Sequence, residues 1–354
     1  QSGNPTVFNT KQVDFDGVDD TLLVTNVYGS FTGTFSFWVN RDSNSGYQYL
    51  FDGRGSGTGT GFAYFDIGSD TVVRTNGVVY VDGIVSTTVA TDGNWHHIVI
   101  AGISLNINVS IDFSSDFNGG NCLNGKLSQI GLWNSTLTAD EVSSLYNHGL
   151  PVDLTTNQAA YESSSNLVGY WRMGSGTLDT YPLIADQTNA TLTDIYASDF
   201  SSGVDGWIAF GLGDAAGNIS IGGEDNSLRY TVTTPVGDTR AFFKSSTKTI
   251  GKTYKVTFSY YIPSTNPNLN AVYLDETDIR NSVLDTWTTV TEYFTASSVD
   301  TKIIVGDADM YLNPAATGET AYIKDVLIKQ VNGNPAIMTN MTASDIENGS
   351  PYAN

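Results

Sequence analysis

Short stretches in which apolar and polar residues alternate occur along most of the chain. One of them, FSFWVN at residues 35–40, places Phe35, Phe37 and Val39 on one face. This period of two is typical of a half-buried β-strand, whose successive side chains point to opposite faces of a sheet. Similar stretches, separated by turns rich in Gly, Asn, Asp and Ser, recur from residue 9 to 150 and again from 197 to 332. The pattern predicts an all-β protein built from antiparallel β-sandwiches.

One segment has helical spacing instead. Thr138 is an N-cap residue, and Glu141 three residues later completes a capping box. Val142 and Leu145 share one helical face, and Gly149 is a typical stop signal. The sequence therefore predicts one short helix at the end of the first group of strands.

The chain of 354 residues is longer than one hydrophobic core usually organises, so two domains are expected. The strand pattern breaks in a segment rich in Thr, Asn and Ser that begins at residue 151. We therefore predict a first sandwich at 1–150, a connector at 151–196, a second sandwich (jelly roll) at 197–332 and a C-terminal tail at 333–354.

A repeated phrase flanks the second predicted domain. ATLTDIYASDF at 190–200 matches AIMTNMTASDI at 336–346, with five identical positions and apolar residues conserved in kind. The spacing is that of a domain and not that of a short structural repeat. The repeat indicates a domain that was inserted into, or duplicated with, one continuous linker-and-tail sequence.

Several phrases in the first half resemble a known family. VDFDGVDDTLLV (13–24), NWHHIVIAG (94–102) and GKLSQIGLWNSTLTADEVSSLYNHG (125–149) follow, in order, the pattern of laminin G-like, concanavalin A-type sandwich domains. In the second half, Gly206-Trp207 and YIKDVLIK (322–329) resemble the carbohydrate-binding jelly-roll modules found beside polysaccharide hydrolases. These resemblances imply folds more firmly than functions, because such sandwiches serve sugar binding, adhesion and scaffolding alike.

The negative charge of the chain disfavours binding to nucleic acid and to anionic membranes. Sixteen Lys and Arg oppose 37 Asp and Glu, a formal net charge of −21, which repels nucleic acid phosphates and anionic lipid headgroups. No apolar run of about 18 residues is present, so we expect no membrane insertion. Charged residues are sparse, at 15%, and Ser, Thr, Asn and Gly carry the polar surface, which suits an extracellular β-rich protein.

Two groups of carboxylates are candidate calcium ligands. Asp16 and Asp20 have the ligand chemistry of a hard cation, and related laminin G-like domains hold Ca²⁺ near this strand. Those relatives add an acid from a strand in which Gln129 stands here. The module-like resemblance implies a second Ca²⁺ at Asp199 and Asp325, although Ser201 stands where the relatives have an acid.

Aromatic residues of the second sandwich allow two interpretations. Tyr260, Tyr261, Tyr273 and Tyr293 could form a platform on which sugar rings stack, or they could pack in the core. Because Tyr260 and Tyr261 are adjacent in a predicted strand, they must face opposite sides of the sheet. One of the two could therefore be exposed to solvent while the other lies in the core.

The predicted tail contains apolar residues without a domain of their own. Ile337, Met338, Met341 and Ile346 would gain by docking on another surface. We therefore predict that they form an assembly contact in a homo-oligomer, with the two repeated phrases side by side at one end of the second domain.

The sequence lacks the motifs of the common enzyme classes. It contains three histidines, and no G-x-S-x-G, P-loop, H-E-x-x-H or E-x-D-x-x-E motif occurs. We therefore expect a non-catalytic protein.

YWRMG at 170–174 and the downstream MTNM at 338–341 resemble the tail of laminin G-containing virion proteins from marine bacteriophages. The leading hypothesis is a structural or adhesive protein on a phage particle (capsid decoration, fibre or tail-associated protein) that contacts other virion subunits and binds polysaccharide on the host surface. The alternative is a secreted bacterial glycan-binding protein, or an accessory part of a polysaccharide-degrading enzyme.

Overall fold

The computed structural model describes residues 9–349 and 351, apart from 26–27, 56–58, 212–215, 224–225, 235–239, 278–279 and 307–314. The strands, in chain order, are β1 (Lys11–Asp16), β2 (Thr21–Val24), β3 (Gly29–Arg41), β4 (Gln48–Asp52), β5 (Phe62–Phe65), β6 (Val72–Arg74), β7 (Val78–Val81), β8 (Ile84–Val85), β9 (His96–Ile107), β10 (Ile111–Phe113), β11 (Asn124–Trp133), β12 (Leu167–Trp171), β13 (Leu183–Ile184), β14 (Leu192–Ser198), β15 (Ile208–Gly211), β16 (Ala216–Ile221), β17 (Leu228–Thr234), β18 (Arg240–Lys244), β19 (Thr253–Tyr261), β20 (Ala271–Leu274), β21 (Arg280–Asn281), β22 (Thr288–Thr295), β23 (Thr301–Gly306), β24 (Thr320–Val331), β25 (Ala336–Thr339) and β26 (Ile346–Asn348). The helical segments are α1 (Ala139–Tyr146) and single 3₁₀ turns at Asn147–Gly149, Ser164–Asn166 and Ala343–Asp345. The predicted all-β fold of two sandwiches is confirmed.

The chain divides into two compact units. The first unit comprises Gln1–Thr191 and Asn332–Asn354, and the second unit is the intervening segment Leu192–Val331. The second unit therefore interrupts the first. Of the two explanations that the repeated phrase allowed, insertion and duplication, this arrangement agrees with insertion. At the junction, the Asn332 amide N–H donates to the Thr191 carbonyl at 2.9 Å, and Asn332 Nδ2 donates to Thr191 Oγ1 at 2.9 Å. The chain therefore leaves and re-enters the first unit at neighbouring residues.

Two sheets form the sandwich of the first unit. Sheet A has the order β26-β1-β11-β3-β9-β7-β8, with β12 also paired to β11, and sheet B has the order β13-β25-β2-β10-β4-β5-β6. Their facing sides share one apolar core that includes Phe35 and Phe37 from sheet A and Phe51 and Phe113 from sheet B. The two phenylalanines of sheet A pack against Phe51, Phe35 tilted at a ring-centroid distance of 4.2 Å and Phe37 stacked at 5.8 Å.

The predicted connector and tail are wrong, because both complete the sheets of the first unit. From the connector, β12 pairs with β11 and β13 pairs with β25. From the tail, β25 pairs with β2 and β26 pairs with β1. The segments are polar in part, yet each supplies backbone hydrogen bonds and apolar side chains to a sheet that would otherwise end in an unpaired edge. The last tail residues, 352–354, lie outside the described part.

The four apolar tail residues are accordingly not a free assembly contact. Met338 and Met341 are 4% and 5% exposed and belong to the core of the first unit, and Ile346 packs against that core. Ile337 is half-buried on β25, paired with Leu23 and Leu183. The repeated phrases also take different partners, since the first forms β14 and pairs with β24.

The predicted helix is present and covers the outer face of sheet A. Thr138 Oγ1 accepts from the Glu141 amide at 3.3 Å, and the Glu141 carboxylate accepts from the Thr138 amide at 2.9 Å, so the capping box is confirmed. The helix ends earlier than expected, at a left-handed Asn147. Its side chains Val142 and Leu145 join a second apolar cluster. Trp38, which alternates with Phe37 and Val39 along β3, is only 1% exposed, because Tyr146 of the helix lies 6.2 Å from its ring.

The second unit is a separate sandwich with its own core. Sheet C has the order β16-β17-β24-β19-β22, with β14 also paired to β24, and sheet D has the order β15-β18-β23-β20-β21. Trp207 and Phe242 lie in the core between them, together with Tyr230, Phe258 and Ile303. Among the described residues of both units, no helix has the length and hydropathy needed to cross a membrane.

Candidate functional site

The outer face of sheet D carries a row of aromatic and aliphatic side chains. Phe242, Ile303 and Leu274 point into the core of the second unit. Their neighbours Phe243, Ile304 and Tyr273 must then point to the outer face, because side chains alternate along a strand.

The strand register aligns these outward residues across the sheet. One row crosses the sheet from β15 to β20. In order, it contains Phe210 (β15), Ala241 (β18), Ile304 (β23) and Tyr273 (β20), each opposite the next in the register. Four strands at about 4.8 Å spacing make this row about 14 Å long. Phe243 lies beside Phe210, with ring centroids 5.6 Å apart and an interplanar angle of 19°. We call Phe210, Phe243, Ile304 and Tyr273 the aromatic strip.

Charged side chains border the aromatic strip. Lys302 Nζ lies 3.0 Å from Asp275 Oδ2 and 5.4 Å from the centroid of the Phe210 ring. The Arg280 guanidinium carbon lies 5.9 Å from the centroid of the Tyr273 ring. The three rings of the strip are half-buried, and Ile304 between them is only 5% exposed. Ring faces with hydrogen-bond donors and acceptors at their margin are the composition of a site for a partly apolar, hydroxyl-rich ligand.

The four tyrosines proposed as one platform do not lie together. Tyr260 is fully buried in the core, where its hydroxyl accepts from the Val283 amide at 3.0 Å, so its assignment to the platform is wrong. Tyr261 and Tyr293 lie on the outer face of sheet C, whereas Tyr273 belongs to the aromatic strip on sheet D. The tyrosines are separated because the two sheets of one sandwich expose opposite faces.

Sheet C carries its own small aromatic cluster. The Tyr261 ring lies 5.7 Å from the Trp287 ring and 5.9 Å from the Tyr322 ring, and Lys324 Nζ lies 4.3 Å from the centroid of Trp287. Trp287 and Tyr322 were not among the residues predicted from the sequence. The alternation of Tyr322 with the apolar residues Ala321 and Ile323 in β24 was the signal that could have placed it on an outer face.

The carboxylates Asp199 and Asp325 do meet in one pocket. Strands β14 and β17 pair with the same edge of β24, at residues 326–331 and 320–323, while β19 occupies the other edge. The gap between β14 and β17 exposes Asp325, whose backbone has a φ of 52°. A cavity of about 640 Å³ is located there, lined by Asp199, Asp205 and Asp325 among others.

Two of the three carboxylates accept hydrogen bonds from nearby side chains and amides. Asp199 Oδ1 accepts from the amide and the hydroxyl of Ser201, at 2.9 and 2.6 Å, and these bonds lower the Asp199 pKa. Asp205 Oδ2 accepts from the Tyr196 hydroxyl at 2.5 Å. Ser201, which stands where the relatives have an acid, therefore orients the neighbouring Asp199 carboxylate. These carboxylates line one cavity and have the oxygen chemistry that Ca²⁺ prefers. Among the described residues, however, the three carboxylates whose oxygens converge within 4.8 Å of one another are Asp16, Asp19 and Asp20.

Asp16 and Asp20 also lie together, with Asp19. One carboxylate oxygen from each of the three falls within 4.8 Å of the others. Asp16 Oδ1 accepts from the Val18 amide at 2.8 Å, and Asp20 Oδ2 accepts from the Asp16 amide at 3.0 Å. Burial raises the Asp20 pKa, and repulsion from the Asp16 charge adds to the effect. The group both closes the β1–β2 turn and offers oxygens to a cation.

Gln129 does not complete that acidic group. Its amide Nε2 donates to the Val152 carbonyl at 2.8 Å and to the Tyr170 hydroxyl at 2.6 Å. The residue is 2% exposed and holds the segment that covers sheet A. The strand in which relatives place an acid therefore uses this position for packing.

Comparisons with known proteins were made at the level of family, sequence and structure. No family model matches the sequence, and no curated protein matches it. Among solved structures, the xylan-binding CBM22-1 domain of Paenibacillus barcinonensis Xyn10C is 11% identical, with a TM-score of 0.28, over 40% of this chain and 96% of that domain. The mannan-recognising carbohydrate-binding module TmCBM27 is 16% identical, with a TM-score of 0.27, over 40% of this chain and 100% of that module. The CBM22-1–GH10 modules of Clostridium thermocellum Xyn10B, complexed with xylohexaose, are 16% identical, with a TM-score of 0.27, over 39% of this chain and 28% of theirs.

Proposed function

We propose that the second unit binds a neutral glycan along the aromatic strip and that the protein does not cleave it. The observation that carries this proposal is the row on the outer face of sheet D that begins at the nearly parallel rings of Phe210 and Phe243 and ends at Tyr273, about 14 Å away. The face of an aromatic ring is electron-rich, so it attracts the weakly positive C–H groups on the apolar face of a sugar ring. The sheet holds the rings in fixed positions, which reduces the entropy lost on binding.

The charge of the protein supports a neutral ligand. The formal net charge of −21 disfavours the approach of sulfated or uronic acid-rich chains. Lys302 is already paired with Asp275, so the strip offers little uncompensated positive charge to an anion. Both side chains can still exchange hydrogen bonds with sugar hydroxyls.

The carboxylates near the strip support a binding role without hydrolysis. Glycoside hydrolysis generally needs two carboxyl groups that flank the scissile bond. In the described part of the strip and its margin, Asp275 is the one carboxylate on the outer face, and its neighbour Glu276 is buried in an ion pair with Lys248 at 2.9 Å.

The test uses xylohexaose, mannohexaose and cellohexaose as probes in isothermal titration calorimetry. We expect at least one to bind, and Phe243→Ala and Tyr273→Ala each to weaken that binding about tenfold through loss of a stacking partner. Trp287→Ala, on the outer face of the other sheet of the same unit, is the matched control and should leave the affinity unchanged. Unchanged affinity in both strip variants, or a loss confined to the Trp287 variant, would refute the strip as the site.

We further propose that Asp199 and Asp325, which line one cavity, are ligands of a structural Ca²⁺ in the second unit. A cation that binds only the folded unit raises its stability by about 2.7 kcal/mol at a hundredfold excess over its dissociation constant. Millimolar Ca²⁺ should therefore raise the unfolding temperature of the second unit, and Asp325→Asn should abolish that increase. An identical increase in the Asp325 variant would exclude this pocket, and a response limited to the first unit would move the ion to Asp16 and Asp20.

We propose the surface of a phage particle as the place where the glycan is bound. Support comes from the resemblance of YWRMG (170–174) and MTNM (338–341) to the tail of laminin G-containing virion proteins. Mass spectrometry of purified particles should detect the protein. Recovery from the culture medium of uninfected bacteria, together with a linked hydrolase, would instead favour the secreted accessory protein.

A further inference from the structure

The outer face of sheet B, in the first unit, carries a second group of aromatic rings. Phe51, Ala63 and Phe65 point into the core, so Phe62 and Tyr64 of β5 point outward. Tyr49 lies opposite Tyr64 in the register, and Tyr47 precedes it with 44% of its surface exposed. We call Tyr47, Tyr49, Phe62 and Tyr64 the tyrosine face.

The rings of the tyrosine face lie in contact with one another. Tyr64 is central: its ring lies 4.9 Å from Tyr49 at 31°, 5.9 Å from Phe62 at 19° and 5.7 Å from Tyr47 at 88°. Phe62 is close to parallel with Tyr64, and Tyr49 is tilted from it, so the three rings form one contiguous aromatic cluster. Tyr47 stands at a right angle at its end and forms a wall.

An arginine fixes the tyrosine face from one side. Arg54 Nη2 and Nε donate to the Asp52 carboxylate at 2.6 and 2.9 Å, and Nη2 also donates to the Tyr49 hydroxyl at 3.2 Å. The guanidinium carbon lies 4.3 Å from the centroid of Phe62. Because the Asp52 side chain is fully buried and the pair is bidentate, the rings beside it are held in place before any ligand arrives.

The charge on this face limits what can bind there. Asp52 neutralises Arg54, and Asp112 lies directly opposite Asp52 in the register of β10 and β4. Asp116 caps the following turn, where it accepts from the Asn118 amide at 2.9 Å. The face is therefore neutral to negative, which disfavours anionic ligands such as phosphates or acidic peptides.

The opposite side of the first unit is already covered. On the outer face of sheet A, Val142, Leu145, Val152 and Leu154 pack over Trp133. On the tyrosine face of sheet B, Tyr47 is 44% exposed, and Tyr49, Phe62 and Tyr64 are half-buried. Half-exposed rings with phenol hydroxyls, an immobilised guanidinium and carboxylates suit a ligand that is apolar on its ring faces and hydroxylated at its edges.

We propose that the tyrosine face is a second glycan-binding site, which holds a neutral sugar chain independently of the aromatic strip. One sugar stacks on the cluster of Tyr49, Tyr64 and Phe62, and Tyr47 bounds it at one end. The protein then carries two sites for neutral glycan on one chain, one in each unit. Two linked sites that engage one polymer bind it more tightly than either site alone.

The experiment is affinity electrophoresis and calorimetry of the full chain with the same three hexasaccharides and their parent polysaccharides. Four proteins are compared: the unmodified chain, Tyr47→Ala/Tyr64→Ala, Phe243→Ala/Tyr273→Ala, and the variant that combines all four changes. Ile84→Ala, 72% exposed on sheet A, is the control for loss of an exposed apolar side chain from the same unit. Circular dichroism and the unfolding temperature verify that each variant is folded.

We expect each double variant to bind a hexasaccharide at one site per chain. Its affinity for the polymer should fall about tenfold or more. The fourfold variant should not bind at all. If Phe243→Ala/Tyr273→Ala alone removes all binding, the second site is refuted while the aromatic strip stands. If Tyr47→Ala/Tyr64→Ala alone removes all binding, the tyrosine face stands and the strip is refuted. The tyrosine face is not a glycan site if no probe binds the unmodified chain. The same conclusion follows if Tyr47→Ala/Tyr64→Ala leaves the glycan affinity unchanged and instead changes the molecular mass measured by light scattering.

Discussion

Glu292 illustrates how position within a sheet determines the chemistry of one side chain. The residue lies in β22 between Val290 and Phe294, on the side of sheet C that faces the core, and only 7% of it is exposed. Burial raises its pKa from 4.5 to about 7. The folded protein therefore binds the Glu292 proton more tightly than the unfolded chain does. The contribution of this proton to the stability of the second unit is fully present below pH 4.5 and is lost as the pH rises through about 7.

We therefore predict that Glu292→Gln stabilises the second unit at pH 8.5 and has little effect at pH 5. A shift of this size corresponds to at most about 3 kcal/mol, because each pKa unit contributes about 1.4 kcal/mol. Urea denaturation at the two pH values measures the difference. A gain of equal size at both pH values would show that the effect is not electrostatic.

Glu276→Gln is the matched control and should have the opposite sign. Burial tends to raise the Glu276 pKa, but hydrogen bonds from Ser297 and Lys248 outweigh it and lower the pKa. Removal of that charge leaves Lys248, with a side chain 1% exposed, without its ion-pair partner. We expect a loss of about 3 kcal/mol at pH 7.

At the scale of the element, β25 shows that a short strand can be essential to a unit that begins far away in the chain. Met338 lies opposite Leu22 and points into the core, while Ile337 lies opposite Leu23 and points to the outer face. Met338→Ala should destabilise the first unit by about 3 kcal/mol, since it leaves a cavity in a closed core. Ile337→Ala should cost about 1 kcal/mol or less. Guanidinium denaturation measures both, and equal effects would mean that β25 is not docked as described.

The two units make a prediction at the scale of the whole molecule. Because Thr191 and Asn332 are hydrogen-bonded neighbours, the first unit should fold when residues 192–331 are replaced by Gly-Gly. The excised segment should also fold alone, since it contains a complete core and its terminal residues Leu192 and Val331 are paired. Circular dichroism and cooperative thermal unfolding of the two products provide the measurement. Failure of both to unfold cooperatively would mean that the units depend on each other for stability.

Local features of the fold followed from the sequence, because each depends on neighbouring residues. The strand alternation, the capping box of Thr138 and Glu141, and the presence of two sandwiches all agree with the structure. The sequence also required that Tyr260 and Tyr261 face opposite sides. Which of the two is buried depended on which face of sheet C meets sheet D, and that is a property of packing.

Only the tertiary structure decided which distant segments pair and which faces remain open. The partner of β25 is β2, more than three hundred residues earlier, and no local pattern encodes such a pairing. The same pairing buries Met338 and Met341, which in isolation had indicated an assembly contact. The tyrosine face likewise depends on tertiary contacts, since α1 and the segment after it cover sheet A and leave the rings of sheet B accessible. Alternation along a strand determines that two faces exist, whereas packing between sheets determines which of them is available to a ligand.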